Sequence, residues 1–257
     1  MKAKTKLAKL CGVLLALVMI VGMLPATALA EETTVATESP DFVHDSEVAI
    51  ALLNAHKTPG AKDNTWDSAT KTLTLNGVNF VTTDYTGMTL PAGTTIVLNG
   101  VNTITGGDSS LECCGIYGYG YFYVEGTGIL KVTAGNSSGS RSIGILATGI
   151  VVNGGEIIAT GGSASSTSYG ILDSNALAIN SGKVTATGGT ATGSSIGVKQ
   201  VYMYGGSLVA TGNDNAVEKN QILTLRIIPP IGGAHQATAI IQIARLLRIP
   251  TLRQINM

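Results

Sequence analysis

A triplet with apolar residues at its first and third positions, followed by a turn pair, recurs along the middle of the chain. It occurs six times between residues 73 and 205, as LTLNG, IVLNG, FYVEG, IVVNG, LAINS and VYMYG. The turn positions lie 23 to 28 residues apart, at Asn76, Asn99, Glu125, Asn153, Asn180 and Tyr204. A nearly equal spacing in this range is typical of stacked solenoid repeats. The pattern therefore predicts one coil of chain for each unit.

Loops rich in Gly, Ser and Thr hold a constant place in the same repeat. GGDSSLECC, GNSSGSRSI, GGSASSTSY and GGTATGSSI each run nine residues and lead into a Gly-Ile or Gly-Val pair. The sequence pattern therefore predicts three short strands in each coil. One begins at this pair, one is the apolar triplet, and one is a run such as EIIATG.

Three strands per coil, stacked in parallel, predict an all-β fold, a right-handed parallel β-helix of about six coils. Side chains alternate along a strand, so Ile150 and Val152 are expected in the core and Val151 outside. The Asn-Gly pair fits a tight corner, because both residues readily take the left-handed backbone conformation. A hairpin is the competing interpretation of Asn-Gly, but hairpins do not require equal spacing.

This repeat resembles the right-handed parallel β-helix surface proteins exported by Gram-positive bacteria, which share the pectate-lyase-like superfamily fold. The resemblance covers roughly residues 66 to 217, and WDSATKTLTLNGVNF looks like the opening coil of a carbohydrate-binding domain of this type. It implies an asparagine ladder at the corner, matched by Asn76, Asn99, Asn153 and Asn180. Glu125 and Tyr204 depart from the ladder and are expected to weaken it. Relatives include binding domains, lyases and hydrolases, so the resemblance specifies fold better than function.

Residues 1–30 have the features of a secretory signal peptide. Four lysines precede the apolar run CGVLLALVMIVGMLP, and Ala28-Leu29-Ala30 follows it. This order predicts cleavage after Ala30 and a secreted or cell-surface protein, with an uncleaved membrane anchor as the alternative. The remaining chain is mildly acidic, which argues against a nucleic-acid partner. Its sequence shows no second membrane span.

The two flanks of the repeat differ from it in composition. Residues 31–45 predict a flexible leader, and residues 46–56 a short helix with Asp45 or Ser46 as N-cap, covering the first coil. Residues 218–257 form an atypical tail, with four arginines where residues 1–220 have only Arg141. Three interpretations of the tail remain open: a cap helix over residues 236–248, an out-of-frame sequence, or a basic membrane-surface helix.

Two cysteines, Cys113 and Cys114, follow the signal peptide. Neighbouring cysteines rarely bond to each other, because the ring that they close is strained. Cys114 aligns with Ile143, Tyr169 and Ile196, which predicts a core position, whereas Cys113 aligns with Ser142, Ser168 and Ser195, which predicts a surface position. No metal site and no cofactor is predicted.

The acids of the coils do not align in columns, meaning at equivalent positions in successive coils. A calcium-dependent lyase needs gathered carboxylates with a basic residue, and a hydrolase needs a carboxylate pair. We therefore predict no catalytic residues. The alternative, a polysaccharide lyase or glycoside hydrolase, requires Asp173, Lys199 and Glu156 to converge. A groove lined by at least three carboxylates would overturn the prediction that the protein is not an enzyme.

Tyrosines supply the candidate ligand-binding residues. Tyr117, Tyr119, Tyr121 and Tyr123 alternate in GIYGYGYFYVEG, and Tyr202 shares the expected outward column of Tyr123, two coils away. Exposed rings in a row could stack on sugars. Tyrosine also simply suits exposed strands, and a corner within residues 117–123 would split the row. The predicted function is a non-catalytic, structural or adhesin-like surface module whose partner is a polysaccharide or cell-wall glycan.

Overall fold

The computed structural model describes residues 35–213, 215–217, 224–225 and 238–243. One short helix, α1, spans Ser46–Ala55. The strands are β1 Val35–Ala36, β2 Thr65–Asp67, β3 Thr72–Asn76, β4 Asn79–Thr82, β5 Thr86–Leu90, β6 Thr95–Asn99, β7 Val101–Thr105, β8 Cys113–Gly118, β9 Tyr121–Gly126, β10 Ile129–Thr133, β11 Arg141–Val152, β12 Glu156–Thr160, β13 Thr167–Ile179, β14 Lys183–Thr187, β15 Ser194–Val198, β16 Val201–Met203, β17 Ser207–Gly212, β18 Asn215–Val217, β19 Thr224–Leu225 and β20 Thr238–Ile243.

Stacked parallel coils form a β-solenoid of about five turns, close to the six coils predicted. One sheet has the order β1-β4-β7-β10-β12-β14-β17-β20. The second sheet has the order β18-β15-β13-β11-β9-β6-β3-β2 and also contains β5, β8, β16 and β19. Pairs between successive coils are parallel, whereas β2 and β3 at the first edge form an antiparallel pair. Within the described residues, this hairpin turns before the first repeat unit and not at an Asn-Gly corner.

Equivalent apolar side chains stack directly on one another inside the solenoid. One such column lies in register through six successive strands and is almost wholly excluded from solvent: Leu73, Ile96, Val124, Val152, Ile179 and Met203. Ile150 and Val152 both point inward, as predicted. No single coil could bury such a column, so the core depends on stacking.

Glycine alone makes the left-handed turn at each corner. Positive φ angles occur at Gly77, Gly100, Gly126, Gly155, Gly182 and Gly206, while the corner asparagines do not have them. The expectation that Asn and Gly share this conformation is therefore wrong for Asn. The asparagine precedes the turn, and its side chain is left free to bond along the stack.

The asparagine ladder forms in two pieces. Asn99 donates to Asn76 Oδ1 at 3.0 Å, and Asn180 donates to Asn153 Oδ1 at 2.8 Å. Asn153 also donates to Glu125 Oε1 at 3.3 Å, so Glu125 extends the second piece rather than weakening it. The ladder is interrupted between Asn99 and Glu125, because the strand register shifts there by two residues. Ile96 pairs with Val124, whereas the alignment of the repeats predicted Phe122.

The segment before the first coil is built into the solenoid. β1 pairs with β4. Phe42 is buried, and the centroid of its ring lies 5.0 Å from that of Trp66. The predicted flexible leader is thus wrong for residues 35–45, because Phe42 anchors it. In α1, Asp45 caps the helix by accepting from Val48 N, and Leu53 is fully buried in the core. The predicted cap helix is confirmed.

Two described strands come from the C-terminal tail. β20 pairs in parallel with β17, so the helix predicted over residues 236–248 is wrong where β20 lies. The open edge of β17 offers backbone partners to this β-branched run. The remaining tail and the predicted signal peptide lie outside the described residues. In the part of the chain that the structure covers, no helix is long and apolar enough to cross a membrane.

Candidate functional site

The tyrosine row is divided by a corner of the solenoid. Tyr117 lies in β8 and Tyr121 in β9, with Tyr119 at the turn between the two strands. Tyr123 and Tyr202 do share an outward column, but Val151 and Ala178 stand between them, so they are three coils apart rather than two. The predicted site residues therefore occupy two different faces.

On the face beyond the corner, two of the three tyrosines already have hydrogen-bond partners. The ring of Tyr121 lies over Gly149, and its hydroxyl accepts from Asn175 Nδ2. The hydroxyl of Tyr202 accepts from Gln200 Nε2 at 2.8 Å. Tyr123 is the most exposed of the three, at 37%. None of these three tyrosines lines the groove that holds Tyr117 and Tyr119.

Tyr117 and Tyr119 instead line a groove. Their rings meet edge to face, with centroids 4.9 Å apart and an angle of 83° between the planes. The groove has a volume of about 490 Å³ and contains a third ring, that of Tyr85. Its lining residues are Ser39, Asp41, His44, Asp84, Tyr85, Thr86, Thr89, Glu112, Cys114, Tyr117 and Tyr119.

Three separate segments supply the walls of this tyrosine groove. Residues 39–44 form one wall, which backbone bonds between Phe42 N and Thr89 O and between Thr89 N and Pro40 O fasten to β5. The second wall consists of Asp84 and Tyr85 with residues of β5, which begins directly after them. The third wall consists of Glu112 and the residues of β8 that follow it, including Tyr117. β5 and β8 are parallel neighbours, with Thr89 opposite Tyr117.

Three carboxylates face the groove, and each is held by a donor. Asp41 accepts from Val43 N at 2.9 Å and contacts His44 Nδ1 at 2.7 Å. Ser39 Oγ donates to Asp84 Oδ2 at 3.2 Å. Arg141 Nε donates to Glu112 Oε2 at 2.6 Å. The carboxylates are therefore fixed in position, and the groove presents acceptors beside aromatic rings.

The chain matches no protein-family model, no curated protein and no solved structure with which it was compared.

The cysteine columns are aligned as predicted, and Cys114 is buried as predicted, but Cys113, which was expected at the surface, is buried as well. Cys113 pairs with Ser142 and Cys114 with Ile143. A Cβ added to Gly115 would meet Val132 Cγ1 at 2.4 Å, so Gly115 and Ile116 both face the core. The strand alternation slips by one position there, because glycine has no side chain to accommodate. Cys113 consequently turns inward, and Cys114 turns toward the groove.

Burial suppresses the chemistry of both thiols. Cys113 is fully buried, and its Sγ donates to Gly135 O at 3.0 Å, the carbonyl that also accepts from Ser142 Oγ. Cys114 packs with Ile143 and Leu172 in a small apolar cluster separate from the main core. Burial raises the pKa of each thiol above its ordinary value. Both are expected to be protonated and poorly nucleophilic at neutral pH.

Of the residues named for an enzyme by sequence, Asp173 and Lys199 lie on neighbouring coils, where Lys199 N donates to Ile171 O, whereas Glu156 belongs to the other sheet. Glu156 lies in β12 of the first sheet, where its Oε1 pairs with Lys183 Nζ at 2.8 Å. Asp173 belongs to β13 in the second sheet and is fully buried rather than outward, accepting from Gln200 N at 3.3 Å. Lys199 follows β15. Over the described ranges, no group of three His, Cys, Asp or Glu side chains is placed to hold a metal ion.

The groove also contains residues that sequence reasoning did not select. Four of them fall outside every aligned column: Asp41, His44, Asp84 and Tyr85. Glu112 is one of the coil acids that were not selected because no acid of a neighbouring coil aligns with it. One available signal was Phe42, which is the only Phe, Tyr or Trp among residues 31–45. Such a residue predicts that its segment is packed rather than mobile.

Proposed function

We propose that this protein is an exported, cell-surface β-solenoid of structural or adhesin-like type that binds polysaccharide without modifying it. Export is supported by the lysine-rich start, the apolar run and the Ala28-Leu29-Ala30 sequence. Binding is supported by one observation above all, the groove that gathers Tyr85, Tyr117 and Tyr119.

The chemistry of the groove suits a sugar. Tyrosine rings stack on the apolar faces of sugar rings and leave a hydroxyl for hydrogen bonding. Tyr85 and Tyr119 are 59% and 55% exposed, which leaves their faces open to a ligand. The fixed carboxylates accept hydrogen bonds from sugar hydroxyls. The groove volume of about 490 Å³ lies within the range of small-ligand sites and fits a few sugar units of a longer chain.

Alanine substitutions of the groove tyrosines test this proposal. The wild-type protein is screened on a polysaccharide array, and affinities for the bound glycan are then measured by titration calorimetry. Tyr119→Ala and Tyr85→Ala are each expected to weaken binding about three- to tenfold, the worth of one ring contact. Tyr204→Ala, which removes a tyrosine of similar exposure, 50%, at a corner outside the groove, is the matched control.

Two results would contradict the binding proposal. The first is that the wild-type chain binds no polysaccharide on the array. The second is that Tyr204→Ala loses as much affinity as Tyr119→Ala, since binding would then not depend on the groove. Tyr123→Ala and Tyr202→Ala measure in the same way whether the face beyond the corner contributes.

A second candidate function is a polysaccharide hydrolase or lyase, with catalysis by groove acids. It is favoured by a specific observation, because Asp41, Asp84 and Glu112 give the groove the three carboxylates that were set as the criterion against a non-catalytic protein. We keep binding as the first proposal because each of these carboxylates already accepts from a donor of the protein. The residues that sequence suggested for this role are not the ones gathered. Incubation with the bound glycan distinguishes the two functions by the release of new reducing ends or of unsaturated sugars that absorb in the ultraviolet. Product formed by the wild type and lost in Glu112→Gln would replace the binding proposal.

A further inference from the structure

The tyrosine groove has an unbalanced charge. Its lining carries the carboxylates of Asp41, Asp84 and Glu112, and none of the residues lining it is Lys or Arg. Arg141 lies outside the lining, and its guanidinium pairs with Glu112. His44 is the only basic side chain within the groove, and it lies against Asp41. The three carboxylates outnumber Arg141 and His44 together, so the groove has a net negative charge.

Aromatic rings and carboxylates together favour one class of ligand. The face of a tyrosine ring attracts cations through its quadrupole, and the effect adds to the attraction of a nearby carboxylate. A neutral sugar uses only the stacking and the hydrogen bonds of such a groove. A uronic acid would bring its own carboxylate against three others, which is repulsive. A sugar that carries an ammonium group uses every feature of the lining.

We infer that the groove selects a cationic polysaccharide, built from amino sugars whose amines are free and protonated. The inference rests on the proposed polysaccharide binding and names the class of glycan. In the groove, the ammonium group of one unit lies between Asp84 and the ring of Tyr85, which are adjacent in the chain and both line the cavity. The remaining units stack on Tyr117 and Tyr119.

The test compares two oligosaccharides that differ at the amino group of each sugar, which is charged in one and acetylated in the other. One is a hexamer of glucosamine with free amines, and the other is the same hexamer with every amine acetylated. The free-amine hexamer is expected to bind about fivefold more tightly at low salt, and the difference shrinks at 1 M salt as the charges are screened. Asp84→Asn is expected to reduce the ratio of the two affinities, because it removes one of the three carboxylates and therefore weakens binding of the free-amine hexamer more than binding of the acetylated one.

The control variant is Glu125→Gln. Glu125 is exposed and belongs to the corner ladder, outside the groove, and glutamine can still accept from Asn153. It is expected to keep the full preference for the free-amine hexamer. Circular dichroism verifies that both variants are folded before their affinities are compared.

Each other outcome overturns a defined part of the argument. Equal affinity for the two hexamers overturns the charge inference and leaves polysaccharide binding standing. Binding of neither hexamer nor any array glycan overturns both. A lysine hexapeptide that binds as tightly as the free-amine hexamer shows that charge alone is recognised, and it overturns the assignment to amino sugars.

Discussion

At the scale of single residues, the corners provide the cleanest test of what the backbone requires. Gly100 has φ of +65°, and an added Cβ would meet no atom within 4 Å. Substitution there changes backbone strain without creating a clash. We predict that Gly100→Ala lowers the free energy of unfolding by about 1 kcal/mol. Gly100→Asn should cost less, because Asn tolerates the left-handed conformation. Urea denaturation followed by circular dichroism measures both, and an equal cost for Ala and Asn would contradict the argument.

Residue patterns predicted the neighbours of side chains better than the direction in which they point. Alignment of the repeats correctly placed Cys113 opposite Ser142. It also correctly placed Asn153 next to Asn180 in the ladder. The direction failed at Gly115, where two consecutive residues face the core. Strict alternation assumes a continuous pleat, and a glycine that permits close backbone approach breaks it without leaving a periodic signal.

At the scale of elements, the N-terminal helix acts as a cover for the first coil. Leu53 is fully buried, whereas Val48 on the same helix is 47% exposed. We predict that Leu53→Ala lowers the free energy of unfolding by about 2 to 5 kcal/mol, because it leaves a cavity in the core beneath the helix. Val48→Ala is the matched control and should change stability by less than about 0.5 kcal/mol. Thermal melts of the two variants decide; similar melting temperatures would mean that the helix does not cover the core.

Elements with strong local signals were predicted, and those held only by distant partners were not. The cap helix carries Asp45 as an N-cap, which sequence alone can identify. β1 has two residues and exists through its pairing with β4, so no periodicity marks it. Because the neighbouring segment forms one wall of the tyrosine groove, the site was missed together with it. The groove joins Asp41, Asp84 and Glu112, which come together only in the folded chain.

At the scale of the whole molecule, stability should depend on contact between successive coils. In solenoids, each repeat contacts its neighbours and the stability is close to a sum of local terms. Val152 occupies the central column between Val124 and Ile179, while Val151, next to it in β11, points outward. The two positions share a strand and a side-chain type but differ in the face on which they lie. The same charged substitution at each position therefore compares the loss of a stacked core side chain with the loss of an outward side chain in the same strand.

We predict that Val152→Asp lowers the free energy of unfolding by at least about 3 kcal/mol, because a carboxylate would be buried among apolar neighbours. The loss should begin locally, in β9, β11 and β13, with β3 and β6 protected longer because they lie farther along the stack. Hydrogen exchange read out by mass spectrometry on peptides from each coil measures this gradient. Val151→Asp should leave the exchange pattern of the wild type almost unchanged. Uniform loss of protection in every coil of Val152→Asp would mean that the solenoid unfolds as one cooperative unit, and coil-by-coil additivity would then not describe it.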